Sequence, residues 1–280
     1  MTILVFGKTG QVASELQKQN DIICLGRDDA DLSCPTDCVA AIKAHAPRAV
    51  INAAAYTAVD RAEDEEELAH VVNAAAPAAM AQACADMDIP FVTISTDYVF
   101  EGQGTASWQP DDFTGPLSAY GRTKLAGEAA VRAVNGRFAI LRTSWVFSAH
   151  GNNFVKTMLR LGREKDVLTI VGDQIGGPTA ANDIALACLR IVNVLGTDAT
   201  AAGTYHFSSA PDVSWADFAV EIFSQAGISC DVTPIPSSDY PTLAARPLNS
   251  RMDCTSTQTA FGIARPDWTV SLAQVLKDLN

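Results

Sequence analysis

The chain lacks any apolar run near the roughly 18 residues that a bilayer span requires. No basic leader or signal segment precedes its first strand-like run at 2–6, so it reads as cytoplasmic and soluble. Basic residues are scarce. Lys and Arg number 20 against 32 Asp and Glu, for a formal net charge of −12, which excludes non-specific nucleic-acid binding. It leaves room for an anionic small molecule held by local arginines. Seven cysteines (24, 34, 38, 84, 188, 230 and 254) form no Cys-x-x-Cys pair, and Cys34 and Cys38 have no histidine at ligand spacing. They read mostly as reduced core residues rather than a metal or disulfide framework. Internal repeats and low-complexity tracts are also missing. What is present is apolar mass: 48% hydrophobic residues in 280, enough for one α/β domain with an appendage.

Short apolar runs at 2–6, 22–25, 49–52, 91–95 and 138–142 read as buried strands. Between them, residues 11–19, 36–45, 68–87 and 118–134 carry Ala, Val and Leu at helical spacing. This alternation predicts right-handed crossovers and a Rossmann-like, doubly wound parallel sheet. The second half is less regular. Helices are expected at 153–163, 182–195 and 271–279, strands near 168–171 and 204–207, and a helix opening at Ser214 with Asp217 at capping-box distance. Four prolines make 233–249 read as mostly loop. The expected division is a dinucleotide-binding domain at 1–150. Residues 151–280 then form a small, discontinuous substrate-binding lobe, with some segments returning to the core.

Gly7-Lys-Thr-Gly10-Gln-Val-Ala13 follows the first strand and opens the first helix. Gly7 permits the tight turn, Gly10 lets backbone approach a pyrophosphate, and Ala13 is small enough for close helix–strand packing. The N–H groups of Gln11 and Val12 can then hold phosphate oxygens. After the second strand, where an NAD-specific fold places an acid, stands Arg27, which can pair with a 2′-phosphate. NADPH is favoured, with NADH as an alternative because Asp28 and Asp29 follow at once. Asp31 and Leu32 are placed at the adenine edge. Ala55 and Thr57, after the third strand, lie where such sheets bind ligands and are assigned to the cofactor.

Tyr120 and Lys124 stand four apart in the fourth helical run, so their heads share one face. An ammonium beside a phenol favours the phenolate and lowers the phenol's pKa, giving a general acid suited to protonating a carbonyl oxygen. The spacing alone is common, and its weight comes from the company it keeps.

That company resembles a known family. FGKTGQV (6–12), NAAAYTAVDRAE (52–63), STDYVFEG (95–102), PLSAYGRTKLAGE (116–128), LRTSWVF (141–147), NNFVKTML (152–159) and ARPLNSR (245–251) are similar, in order and over most of the chain, to the dTDP-4-dehydrorhamnose reductases of the extended short-chain dehydrogenase/reductase superfamily. The resemblance implies NAD(P)H-dependent reduction of a C4 keto group on a nucleotide sugar. Tyr120 would protonate the forming alkoxide, Lys124 would tune Tyr120 and bind the nicotinamide ribose, and Thr96 would hydrogen-bond the carbonyl oxygen. Trp145 would pack on the sugar, while Asp97, Asn153 and Arg246 would contact sugar or diphosphate. Each has a plainer alternative: Trp145 as core, Asn153 as a helix cap, Arg246 as half of a loop ion pair. Some members dimerise around Mg²⁺ held by glutamates. Glu15 is present, but Asn182 stands where a partner glutamate would fall and no acidic tail follows Leu279, so no metal is assigned and the chain is expected as a monomer or homodimer. Two rivals remain. An epimerase or dehydratase on the same scaffold is disfavoured because Tyr98, lacking a carboxylate, follows Asp97. A non-catalytic NADP-binding subunit like the partner of methionine adenosyltransferase is disfavoured by Thr96, Tyr120 and Lys124 together.

Overall fold

The computed structural model describes residues 2–279. Apolar runs too short for helices form β1 (Ile3–Phe6), β2 (Ile22–Leu25), β3 (Ala49–Asn52), β4 (Phe91–Thr96) and β5 (Phe138–Thr143). The intervening helices are α1 (Gln11–Leu16), α2 (Pro35–His45), α3 (Glu66–His70), α4 (Ala76–Asp86) and α5 (Ala119–Val134). Beyond β5 the chain runs through β6 (Val146–Phe147), α6 (Phe154–Glu164), β7 (Val167–Val171), β8 (Ile175–Gly176), β9 (Thr179–Ala180), α7 (Ala181–Thr197) and β10 (Gly203–His206). It closes with β11 (Val213–Ser214), α8 (Trp215–Ala226), β12 (Asp231–Ile235), β13 (Asn249–Ser250), α9 (Thr255–Phe261) and α10 (Trp268–Asp278).

The central sheet has the order β10-β5-β4-β3-β1-β2, and its strand pairs are all parallel. Successive side chains of a strand face opposite ways. Ile3 and Val5 therefore join α1 and α7 in one core, while Leu4 and Phe6 join α2 and α4 in another. The order reverses between β1 and β3, which opens a crevice at the C-terminal edge of the sheet. A third core, around Phe147, Phe218, Trp268 and Leu272, belongs to α6, α8 and α10. Cys38, Cys84, Cys188 and Cys254 are buried thiols, and Cys34 is exposed.

Four segments add to or depart from the sequence reading. Residues 66–86 form α3 and α4 joined by a π-turn at Val71–Ala75. Pro77 cannot donate to the Asn73 carbonyl, and the wider turn accommodates its ring. Pro-rich 233–249 is not all loop, since β12 pairs with β7 in a two-stranded ribbon whose edge position tolerates Pro234. The last helix opens at Trp268 rather than 271, and α9 carried no periodic signal. Ser118 and Ser214 act as N-caps, and Asp217 completes the capping box at Ser214.

Candidate active site

The crevice is a cavity of about 720 Å³ lined from every strand end that faces it and by Trp215 at the start of α8. Its floor begins at the β1–α1 turn. Gly7 sits at φ +113, and a Cβ there would press on the Ala53–Ala54 backbone at 3.1 Å. The protein itself makes no such demand at Gly10, where a Cβ would meet only ordinary contact at 3.7 Å. Glycine at that position keeps the backbone open toward the cavity. The first turn of α1 has no side-chain cap and no acid, so its amides and positive end face a ligand unopposed. The side chain of Gln11 turns away and accepts hydrogen bonds from Ser148 and Asn153 at 2.9 and 3.0 Å.

Arg27, Asp31 and Leu32 line the next wall with Ala55 and Thr57. Arg27 is exposed and forms no ion pair among the described residues. Asp29 is occupied, since its carboxylate accepts the Gly26 amide at 2.8 Å. Asp31 is likewise engaged in its own turn, where the Ser33 amide bond holds its carboxyl below the usual value.

Above this lie Thr96, Asp97, Tyr98, Tyr120, Lys124 and Trp145. Thr96 ends β4, and its hydroxyl meets Asp97 Oδ1 at 3.1 Å. Tyr98 meets Tyr120 edge-on, with centroids 5.5 Å apart. Lys124 is buried and its Nζ donates to the Ile94 carbonyl at 2.7 Å. Helix α5 comes close enough because it carries glycine where it crosses its neighbours. A Cβ at Gly121 would lie 2.2 Å from the Tyr98 carbonyl, and one at Gly127 would lie 2.1 Å from the Asn73 carbonyl in the π-turn. Asn73 itself, buried, joins Tyr56 after β3 to Thr123 on α5. Sequence reasoning missed this tie.

The electrostatics correct one expectation. The Tyr120 phenol is not lowered but pushed up to about 12, first by burial and further by the Asp97 charge, with the Thr96 hydroxyl opposing. Burial brings Lys124 down to about 8, with Glu128 opposing, and pushes Asp97 up to about 6 against hydrogen bonds from Ser250 and Thr96. The spacing of Tyr120 and Lys124 counted the neighbouring charge and not the desolvation, which is larger here.

Trp145 sits at φ +50, costly for a bulky residue, and stacks on Trp215 with centroids 3.6 Å apart at 12°. Trp215, absent from the sequence-stated set, shares the wall with it. Two expected ligand contacts lie elsewhere. Asn153 does not line the cavity; it caps α6 through Lys156 and donates to Ser148 and Gln11, so its side chain has no free face. Arg246 stands one layer back behind Tyr98, bonded to Asp60 at 2.6 Å. Asp97 Oδ2, Thr143 Oγ1 and Arg246 Nη1 are buried without a partner among the described residues, as expected of groups that receive a polar ligand. These residues fit a dinucleotide along the glycine turn and a polar substrate beyond it. Glu15 is taken by Lys18 at 2.7 Å and His150 at 3.2 Å. Among the described residues no group of three acidic, His or Cys side chains gathers for a metal, and no helix is long and apolar enough to cross a membrane.

The sheet order and the chemistry of its crevice define a Rossmann-type oxidoreductase. The family model "RmlD substrate binding domain" matches residues 1–280. The chain is 42% identical to the dTDP-4-dehydrorhamnose reductase of Sinorhizobium fredii, over 99% of this chain and 97% of that one. The solved dTDP-4-dehydrorhamnose reductase of Clostridium acetobutylicum superposes with a TM-score of 0.93 at 37% identity, covering 100% and 99% of the two chains. That of Bacillus anthracis, solved in complex with NADP, gives 0.92 at 32% identity over 99% and 100%. The chain belongs to the dTDP-4-dehydrorhamnose reductase family.

Proposed function

We propose that the chain reduces the C4 keto group of dTDP-4-dehydro-L-rhamnose to give dTDP-L-rhamnose, with NADPH as cofactor. The observation that carries this reading is the convergence of Thr96, Tyr120 and Lys124 on one cavity with the glycine turn. Residues Gly7–Val12 would hold the pyrophosphate of NADPH, whose reduced nicotinamide would supply the hydride. Tyr120 gives its proton to the alkoxide oxygen. Burial keeps the phenol protonated across neutral pH, and an alkoxide is a far stronger base than the phenolate left behind. Thr96 donates a second hydrogen bond to the same oxygen, so two donors meet the charge as it develops. Lys124, one helical turn from Tyr120, places its ammonium where the phenolate forms and reaches the cofactor ribose. Its contribution falls on the product side of the proton transfer, which differs from presetting the free phenol.

Trp145 presents an apolar face to the 6-deoxy sugar, with Trp215 behind it. Asp97 is set for a sugar hydroxyl through Oδ2, an atom that lacks a protein partner, while Arg246 supports the wall from behind Tyr98. Asn153 keeps the role of helix cap that binds the lobe to Gln11.

The test is NADPH oxidation by the purified chain with dTDP-4-dehydro-L-rhamnose, and identification of the sugar product. Tyr120→Phe is expected to lower kcat by about 10²- to 10⁴-fold with NADPH affinity retained. Turnover undiminished in that variant would remove Tyr120 from the role of acid. Oxidation without the keto sugar would refute the substrate.

A further inference from the structure

Beneath the cavity lies a charged pair that the reaction scheme does not use. Glu128 and Arg142 are each 2% exposed, and Arg142 is among the largest fully buried side chains of the chain. The Glu128 carboxylate accepts Ser95 Oγ at 2.6 Å and Arg142 Nε at 2.9 Å on Oε1. Its Oε2 accepts Arg142 Nη2 at 2.7 Å and Arg132 Nη1 at 3.2 Å. The remaining nitrogen of Arg142 donates to the Pro110 carbonyl at 2.9 Å and meets His206 on β10 at 3.4 Å. One carboxylate thus ties α5 to β4, β5 and, through Arg142, to β10.

The placement along α5 gives this tie its meaning. Tyr120, Lys124 and Glu128 follow one another at single-turn spacing on one helix face. Ser95 directly precedes Thr96, and it is the register partner of Arg142 across β4 and β5. A bidentate buried pair of this kind gives orientation more reliably than stability. Apolar residues of similar volume often replace such a pair at no cost, because both charges must be desolvated.

We propose that Glu128 is a positioning residue for the reduction, tying α5 to the strand that ends in Thr96 and so keeping Tyr120 and Lys124 aligned with that threonine. The inference rests on the function proposed above. Lys124 shares its cavity with Tyr120 and Asp97, and Glu128 stands one turn on along α5 with Arg142 and His206 behind it. Of these, Glu128 is the one whose charge favours the ammonium against its burial. Burial, reinforced by the Arg142 charge, brings His206 down to about 4, so it adds no charge near neutrality. Burial raises the Glu128 carboxyl, but its bonds and attraction to Arg142 prevail and keep it ionised below the usual range.

The experiment compares the wild-type chain with Glu128→Gln and with Glu128→Gln/Arg142→Met, which removes both charges and preserves the fold if the single variant does not. The Lys124 titration is followed by NMR of isotopically labelled lysine, and kcat, KM and NADPH affinity are measured in parallel. In Glu128→Gln Lys124 is expected to titrate lower, and less so in the double variant, which also removes the Arg142 cation, with kcat down about 10- to 100-fold in both and NADPH affinity held. A folded variant with an unmoved Lys124 titration and wild-type kcat overturns the proposal. So does loss of folding in both variants, which would assign the pair to stability alone. A wild-type chain inactive on the keto sugar refutes the proposed function instead, and the Lys124 titration still reads the effect of Glu128.

Discussion

Lys124 is bound by the same strand that delivers Thr96: its Nζ donates to the Ile94 carbonyl at 2.7 Å, two residues before the threonine. The ammonium is therefore fixed to the sheet while its helix carries Tyr120. Burial lowers it to about 8 from 10.5, while Tyr120 stands near 12. An activity that needs the ammonium should fall as pH rises through about 8, long before the phenol ionises. Stability should move the other way. Between pH 8 and 10.5 the unfolded chain holds a proton that the folded chain has lost, so stability rises with pH in that window. Below it the full cost of burying the charge remains. Denaturation of wild type and Lys124→Met across the window should show a stability difference that narrows toward alkaline pH. A constant difference would mean that Lys124 is not depressed.

Cofactor preference is expected to depend on Arg27. Its guanidinium is exposed at the cavity wall, while the neighbouring Asp29 is spent on the Gly26 amide. Of the two acids that blurred the reading in sequence, Asp29 is thus removed from competition by the local turn. A charge-assisted hydrogen bond contributes about 1.5–3 kcal/mol, so Arg27→Ala should lower the NADPH-over-NADH ratio of kcat/KM about 10- to 100-fold. Steady-state kinetics with both cofactors checks this. An unchanged ratio would assign Arg27 to solvent.

The stacked indoles predict a binding defect without a chemical one. Trp145 is held at φ +50 between Trp215 and Gly176, where a Cβ would come within 3.0 Å of the Trp145 ring. Removing Trp215 frees Trp145 to relax from that strained conformation. Trp215→Ala should raise KM for the nucleotide sugar about 3- to 10-fold with kcat and NADPH affinity little changed, and Trp215→Phe should restore most of it. A fall in kcat at constant KM would place the indole pair in the chemistry.

The parallel sheet was legible because each central strand is a short apolar run between polar turns, and because Gly7 and Gly10 stand between strand and helix. Every cofactor residue named from that turn, from Arg27 to Leu32 and from Ala55 to Thr57 lines the cavity. Contacts closed by distant partners were not legible. Asp60 meets Arg246 across 186 positions, and nothing beside either residue announces the other. Asn153 offered both a cap and a ligand contact, and the geometry of α6 uses the cap. Trp215 was not singled out, because its partner Trp145 lies in another segment. The Tyr120 shift was misjudged because spacing reports charge neighbours, whereas burial is a property of the assembled crevice.

Glycine is a weak helix former, yet Gly127 is where α5 touches the π-turn. A Cβ there would stand 2.1 Å from the Asn73 carbonyl, a backbone atom that cannot swing aside. Pro77 leaves that carbonyl without its helical donor, and Gly127 lets α5 approach it. Gly127→Ala must push α5 outward, at a cost of about 2–3 kcal/mol and a fall in melting temperature of about 4–10 °C. Because Tyr120 and Lys124 ride on the same helix, kcat should fall with it. Gly196 in α7 provides the opposite case: a Cβ would meet only Pro90 at 4.0 Å, and the residue is helical. Gly196→Ala should stabilise by about 0.5–1 kcal/mol through helix propensity and leave kinetics unchanged. Thermal denaturation of the two variants, expected to move in opposite directions, separates close packing from propensity; parallel shifts would contradict the contact at Asn73.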